Sequence, residues 1–121
     1  MSYVTGLVLT CATFEDEGDE DLPPQVVALN AFLEERGLAP LKDMAELTVG
    51  SKHPQIFVLA GGYNYFPVEE FAALFMAQKW RGPGEAVLML NTEQEDISRI
   101  WRADVGELDP LMNNLTPKER A

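Results

Sequence analysis

The sequence contains few of the residues that carry most catalytic and metal chemistry. Its 121 residues include one cysteine, Cys11, and one histidine, His53. A single cysteine excludes an intrachain disulfide and the cysteine-rich zinc sites. Catalysis by histidine would depend on His53 alone, and no nucleophile motif such as G-x-S-x-G accompanies it. These shortages favour a non-enzymatic protein without a cofactor or a bound metal.

Basic residues and long apolar runs are scarce as well. Nine Lys and Arg stand against 20 Asp and Glu, so the formal net charge is -11. This charge repels polyanions, which argues against direct binding to nucleic acid or to an anionic membrane. The apolar run from Val4 to Ala12 is too short for a membrane span, and no basic residue precedes it as in an export signal. We therefore expect a cytoplasmic protein, whose charge either attracts a basic partner or maintains solubility.

The acidic residues are concentrated after the first apolar run. Six carboxylates fall within seven positions: Glu15, Asp16, Glu17, Asp19, Glu20 and Asp21. Because like charges repel each other, this run predicts a solvated loop. Its spacing differs from that of an EF-hand calcium loop, since the twelfth position counted from Glu15 is Val26 rather than glutamate.

Apolar periodicity predicts five strands and two helices. The strands are expected at Tyr3 to Thr13, Leu38 to Leu47, Gln55 to Ala60, Ala86 to Leu90 and Ile97 to Arg102. The first helix begins at Pro23 and Pro24 and ends at Gly37, and the second begins at Pro67. The segment from Leu38 to Leu47 contains Pro40, which is typical of an edge strand.

This order of elements predicts an α+β fold. It matches a ferredoxin-like split β-α-β sandwich of order βαββαββ, an antiparallel sheet with two helices on one face. The predicted domain covers residues 1–104, and residues 105–121 form a loosely ordered C-terminal tail. In this topology the acidic loop, the Lys52/His53 loop and the Lys79/Arg81 loop lie at one end of the sheet.

An aromatic segment follows the third predicted strand. Two glycines, Gly61 and Gly62, precede the aromatic turn that ends at Phe66. We expect Phe66 to pack in the core at the start of the second helix. Tyr63 and Tyr65 belong either to the core or to a recognition patch, since tyrosine is enriched at interface hot spots.

Two functional hypotheses of different classes follow. The first is a non-enzymatic module that neutralises or regulates a basic protein, of the inhibitor or immunity-protein type and including nucleic-acid mimicry. Its partner-binding residues are predicted to be Glu15, Asp16, Glu17, Asp19, Glu20, Asp21, Tyr63, Asn64, Tyr65, Glu93, Glu95 and Asp96. The alternative is a small-molecule-binding or enzymatic domain with an anion-accepting cleft at Lys52, His53, Lys79 and Arg81. An exposed edge strand would also allow a homodimer.

Overall fold

The first apolar run forms the central strand of an antiparallel sheet. Strand β1 spans Val4–Ala12 and pairs along its whole length with β3, Ile56–Asn64. On its other side β1 pairs with β4, Val87–Thr92. A strand that is apolar on both faces is expected to be central in its sheet, and the pairing of β1 on both sides agrees with this expectation.

The computed structural model describes residues 4–16, 22–44, 56–92 and 98–108, and within them the fold is α+β. Six antiparallel strands form one sheet in the order β2-β3-β1-β4-β5-β6. The three remaining strands are short: β2 is Lys42–Asp43, β5 is Arg99–Arg102 and β6 is Gly106–Glu107.

The first helix begins and ends where the sequence predicts, and the second begins as predicted after Pro67. Helix α1 spans Pro24–Glu35, and its first turn contains the proline whose missing N–H would have no partner there. Gly37 follows the helix with a φ of 73°. The N–H of Gly37 donates to the Glu34 carbonyl at 3.0 Å and that of Leu38 to the Leu33 carbonyl at 2.9 Å, which is a Schellman ending. Helix α2 spans Val68–Ala77 after Pro67.

The core lies between one face of the sheet and the two helices. On β1, alternate residues Leu7, Leu9 and Cys11 are buried in one cluster with the apolar residues of both helices. Phe71 and Phe75 of α2 are fully buried in it. Period-two alternation in the strand therefore places both helices on the same face of the sheet.

Some strand boundaries differ from the predicted ones. Of the predicted strand from Leu38 to Leu47, the described residues 38–44 contain the two-residue edge strand β2, and residues 45–47 lie outside the described residues. Strand β3 continues through the predicted aromatic turn to Asn64, because every residue from Gly61 onward finds a partner on β1. Strand β6 pairs with β5, so the sheet continues past the predicted domain end at residue 104. Of the predicted tail, residues 109–121 lie outside the described residues.

Candidate functional site

The loops of the protein meet at two opposite ends of the sheet. We call the upper end the one where β1 ends at Ala12 beside Ile56, and the lower end the one where Val4 lies beside Asn64. Nine residues of extended strand separate the two ends by about 27 Å. Residues at opposite ends therefore cannot contact the same small epitope.

A buried carboxylate organises the upper end. Glu15 ends a short 3-10 helix, Thr13–Glu15, and its side chain is fully buried. It accepts hydrogen bonds from the backbone N–H of Gly82 at 2.7 Å, the backbone N–H of Arg81 at 2.9 Å and Nε2 of Gln25 at 3.0 Å. The prediction that Glu15 lies in a solvated loop is wrong, because these three donors replace its hydration.

Glu15 thereby connects two loops that the predicted topology places at the same end of the sheet. Its bonds reach the 79–84 segment, so the prediction that the acidic loop and the Lys79/Arg81 loop share one end is confirmed for Glu15 and Arg81. Residues 17–21, together with Lys52 and His53, lie outside the described residues. Asp16 is half-buried and is the last described residue before that gap.

The basic side of the upper end is already engaged by the protein itself. The Arg81 guanidinium donates to the Phe14 carbonyl at 2.7 Å and lies 5.6 Å from the centroid of the Phe14 ring. The side chain of Lys79 is exposed, while its carbonyl accepts a hydrogen bond from Nε2 of Gln25 at 2.8 Å. Of the residues predicted to line the anion cleft, the structure describes Lys79 and Arg81, and the Arg81 side chain already binds within the chain.

Cys11 lies close to this cluster and behaves as a packing residue. Its side chain is fully buried in the core. Burial, reinforced by the negative charge of Glu15, raises the pKa of the Cys11 thiol to about 12. A thiol that stays protonated is a poor nucleophile, so Cys11 has no catalytic character at neutral pH.

At the lower end the two tyrosines of the aromatic segment separate. Tyr63 is buried, and its hydroxyl donates to the Ala39 carbonyl at 2.9 Å. Its ring centroid lies 5.0 Å from that of Phe66, and burial raises the pKa of its phenol. Tyr65 is 73% exposed and has a φ of 54°. Tyr63 is thus a core residue, and Tyr65 is the exposed tip beside an exposed Asn64.

The second helix contributes to the lower end two carboxylates that the sequence hypotheses did not include. Glu69 and Glu70 occupy the first turn of α2, which begins at the lower end, and their side chains are 77% and 63% exposed. Glu70 accepts from Nη2 of Arg36 at 2.8 Å, and Glu69 accepts from Nη1 of Arg99 at 2.6 Å. In the sequence, these two residues could be recognised as acidic residues in the first turn of a predicted helix, where the helix dipole favours negative charge.

Arg99 connects the second helix to the last strands. It forms a two-point contact with Glu107 at 2.8 and 2.9 Å in addition to its bond to Glu69. These hydrogen bonds hold the pKa of the Glu107 carboxyl below its ordinary value of 4.5. The guanidinium also lies 4.8 Å from the centroid of the Trp101 ring.

The described members of the predicted partner-binding set lie at two ends of the sheet. Glu15 and Asp16 lie at the upper end, whereas Asn64 and Tyr65 lie at the lower end, and β1 runs the length of the sheet between them. Residues 17–21 and Glu93, Glu95 and Asp96 lie outside the described residues, so joint action of the acidic loop and the aromatic segment stays a prediction.

In the described ranges, no group of three or more His, Cys, Asp or Glu side chains is placed to hold a metal ion. Neither described helix is long and apolar enough to cross a membrane.

Comparison with known protein families, curated proteins and solved structures finds no match.

Proposed function

We propose that this protein is a non-enzymatic binding module that neutralises or regulates a basic partner protein through its lower end. The exposed tip residue Tyr65 is the observation that carries the proposal. The module would act as an inhibitor or immunity protein does, by covering a cationic surface of its partner. Mimicry of nucleic acid is one form of this function, in which the carboxylates occupy a basic groove.

The backbone at Tyr65 supports a functional role. A φ of 54° lies in the left-handed region, which costs a bulky side chain about 1–2 kcal/mol. The ring gains no burial in return, since it is 73% exposed. Strain without compensating packing is found at binding sites, and tyrosine offers a large contact area with little conformational entropy to lose.

The charge around the tip determines the kind of partner. Glu69 and Glu70 follow it in the first turn of α2, and both are more than half exposed despite their pairing with arginines. The connection from Thr92 to Ser98 begins and ends at the lower end, and its sequence supplies Glu93, Glu95 and Asp96. Carboxylates around an aromatic anchor favour a cationic partner and accelerate its association.

The anion-cleft alternative has weaker support at the upper end. A cleft at Lys79 and Arg81 would need free donors, but the backbone N–H groups of Arg81 and Gly82 already bind the Glu15 carboxylate. An anion there would have to displace a buried side chain of the protein. Binding of a small anion that disappears in a Lys79→Ala variant would favour this alternative.

We also propose that β1 to β4 and the two helices form a ferredoxin-like split β-α-β unit. The neighbour order β2-β3-β1-β4, with antiparallel pairing throughout, supports this assignment. Strands β5 and β6 extend the sheet beyond β4, so the complete strand order differs from that of the four-stranded fold. An experimental structure with the helices on opposite faces would contradict the assignment.

The functional proposal is tested by affinity capture from the source cell's lysate. The immobilised protein is expected to retain one basic protein at low salt and to lose it at about 0.5 M salt, where charges are screened within a few Å. If DNA competes for the retained protein, mimicry is supported. Retention of neutral or acidic proteins alone, or of none, would contradict the proposal.

Variants of Tyr65 then locate the binding surface. Tyr65→Gly is expected to raise the free energy of unfolding, because glycine adopts a φ of 54° without strain, and to weaken partner binding at least tenfold. Phe14→Ala is the matched control, since Phe14 is also an exposed aromatic residue, 48% accessible, but lies at the upper end. Equal partner affinity of the Tyr65→Gly variant and the unmodified protein would refute the assignment of the lower end.

A further inference from the structure

The face of the sheet opposite the helices carries no charged residue on its three central strands. Strand alternation and the pairing register place Val8, Ala60 and Met89 side by side on this face, with Thr10, Val58 and Val87 in the next row. No Asp, Glu, Lys or Arg occupies any position of β1, β3 or β4 that points to this side. In a chain of net charge -11, such a face differs sharply from the rest of the surface.

No described helix covers this face, which we call the open face. Val8, Ala60 and Met89 are only half-buried, whereas their neighbours on the helix side are fully buried. Gly6 and Gly62 pair directly across two strands, and both are exposed. A Cβ built on Gly62 meets nothing within 4 Å. A paired glycine position on a sheet leaves a shallow depression that another chain can approach closely.

The size of the open face fits a protein interface. The three central strands contain 9, 9 and 6 residues. With about 3.3 Å of rise per residue and about 4.8 Å between strands, they present roughly 380 Å² in projection. This area lies within the range of about 300–600 Å² found for the largest apolar patch on a monomer, and it is about half of the roughly 800 Å² that each partner contributes to a standard interface.

A second copy of the chain is the occupant that fits this surface. A basic partner is attracted by carboxylates, and the central strands offer none on this face. Two copies of a chain with net charge -11 repel each other through their acidic surfaces, whereas the central strands of the open face bring no charges together. The register places two cations at the borders of this face, Lys42 on β2 and Arg102 on β5, of which Arg102 is paired with Asp104. We propose that two copies pack their open faces together as a sheet-on-sheet homodimer, with the sheets about 10 Å apart.

The edges of the sheet are less suited to self-association. The outermost described strands, β2 and β6, contain two residues each. A strand this short supplies too few hydrogen bonds for a stable ladder between copies. The homodimer through an edge strand expected from the sequence is therefore the competing geometry that an experiment must separate from face packing.

Sedimentation velocity of the full chain at about 1–200 µM measures the association. The expected species has twice the monomer mass of 13.5 kDa. Salt is expected to strengthen the dimer, because screening removes the repulsion between two acidic subunits. A basic-partner complex responds to salt in the opposite way, so the two proposals fail independently. A monomer mass across the whole range would overturn the dimer.

Matched valine variants test the surface. Val8→Lys on the open face is expected to raise the dimer Kd roughly 100-fold, because each dimer would bury two unpaired ammonium groups. Val27→Lys is the control, since Val27 is 50% exposed on α1, on the opposite side of the sheet. Circular dichroism verifies that both variants are folded. Equal dimerisation of folded Val8→Lys and Val27→Lys would overturn the proposal.

If Val8→Lys does not fold, the contact surface can be measured on the unmodified protein. Methyl NMR during dilution is expected to shift the Met89 signal, because Met89 lies on the open face. The Met76 signal, from a half-buried residue of α2, is expected to stay constant. A dimer whose dissociation leaves the Met89 methyl unchanged would place the contact elsewhere, including at an edge strand, and would overturn face packing.

Discussion

Replacement of Glu15 by alanine is expected to destabilise the protein by about 3–5 kcal/mol. The substitution removes the acceptor of three hydrogen bonds between 2.7 and 3.0 Å. It leaves the N–H groups of Arg81 and Gly82 and the amide of Gln25 without that acceptor. An unsatisfied buried donor costs about 1–3 kcal/mol, and the lower part of this range applies to the two backbone donors because they are partly accessible to water.

Urea unfolding followed by far-UV circular dichroism and tryptophan fluorescence measures this loss. Trp80 reports on the same region, since it precedes Arg81 and its indole N–H donates to the Phe75 carbonyl at 3.0 Å. A loss of 3–5 kcal/mol lowers the midpoint at an unchanged slope, provided that unfolding remains two-state. Glu15→Gln is expected to cost about half as much free energy of unfolding. The glutamine amide keeps one acceptor oxygen, but its NH₂ group replaces the other oxygen and faces a hydrogen-bond donor of the protein.

Glu85→Ala is the control for this experiment. Glu85 is an exposed carboxylate of the 82–85 turn near the same end of the sheet. Its removal is expected to change the free energy of unfolding by less than about 0.5 kcal/mol. If Glu15→Ala costs less than about 1 kcal/mol, the three hydrogen bonds do not hold the upper end together and the reasoning is wrong.

Two further predictions concern the glycine pair and the buried thiol. Gly61→Ala is expected to cost about 1–3 kcal/mol in urea unfolding, because its Cβ would lie 2.7 Å from ring carbons of Tyr63, whereas Gly62→Ala is expected to be tolerated. Cys11 is expected to react with a disulfide reagent at pH 8 at least about 100-fold faster in urea than in the native protein. Since the unfolded thiol ionises near its ordinary pKa of 9.0, this group should also make stability fall as pH rises from 9.0 toward about 12.

Each of these predictions has a contradicting result. Equal stability of Gly61→Ala and Gly62→Ala would show that the Tyr63 ring is not held over its strand neighbour. Native reactivity of Cys11 close to that in urea would show that the thiol is accessible or ionised. If the free energy of unfolding falls equally between pH 9 and 12 in the unmodified protein and in a Cys11→Ser variant, the assigned thiol pKa is wrong.

The sequence was a good guide where local chemistry decides the structure. Pro24 and Gly37 define the two ends of α1 because the first lacks an N–H and the second adopts a positive φ at little cost. The apolar run of β1 identified a strand with neighbours on both sides. These features depend on single residues or on short periods, which a sequence displays directly.

Contacts between distant segments were not predictable in the same way. Glu15 belongs to an acidic run and was expected in water, yet its partners lie 10, 66 and 67 residues away. Tyr63 and Tyr65 are two positions apart and would lie on the same face of a continuous strand. However, β3 ends at Asn64 and the backbone turns at Tyr65 with a φ of 54°, so that Tyr63 packs in the core and Tyr65 is exposed.

By itself, the sequence determined both ends of α1, the start of α2, the central strand, the net negative charge and the absence of an intrachain disulfide. Only the tertiary structure decided whether Glu15 remains in water, which tyrosine is accessible and that one face of the sheet carries no charge on its central strands. The physical reason is that propensity and capping act over a few residues, whereas burial depends on contacts between segments far apart in sequence. Glu15 is in the interior because the 81–82 backbone and Gln25 pack against it, and Tyr65 is at the surface because it lies beyond the end of β3.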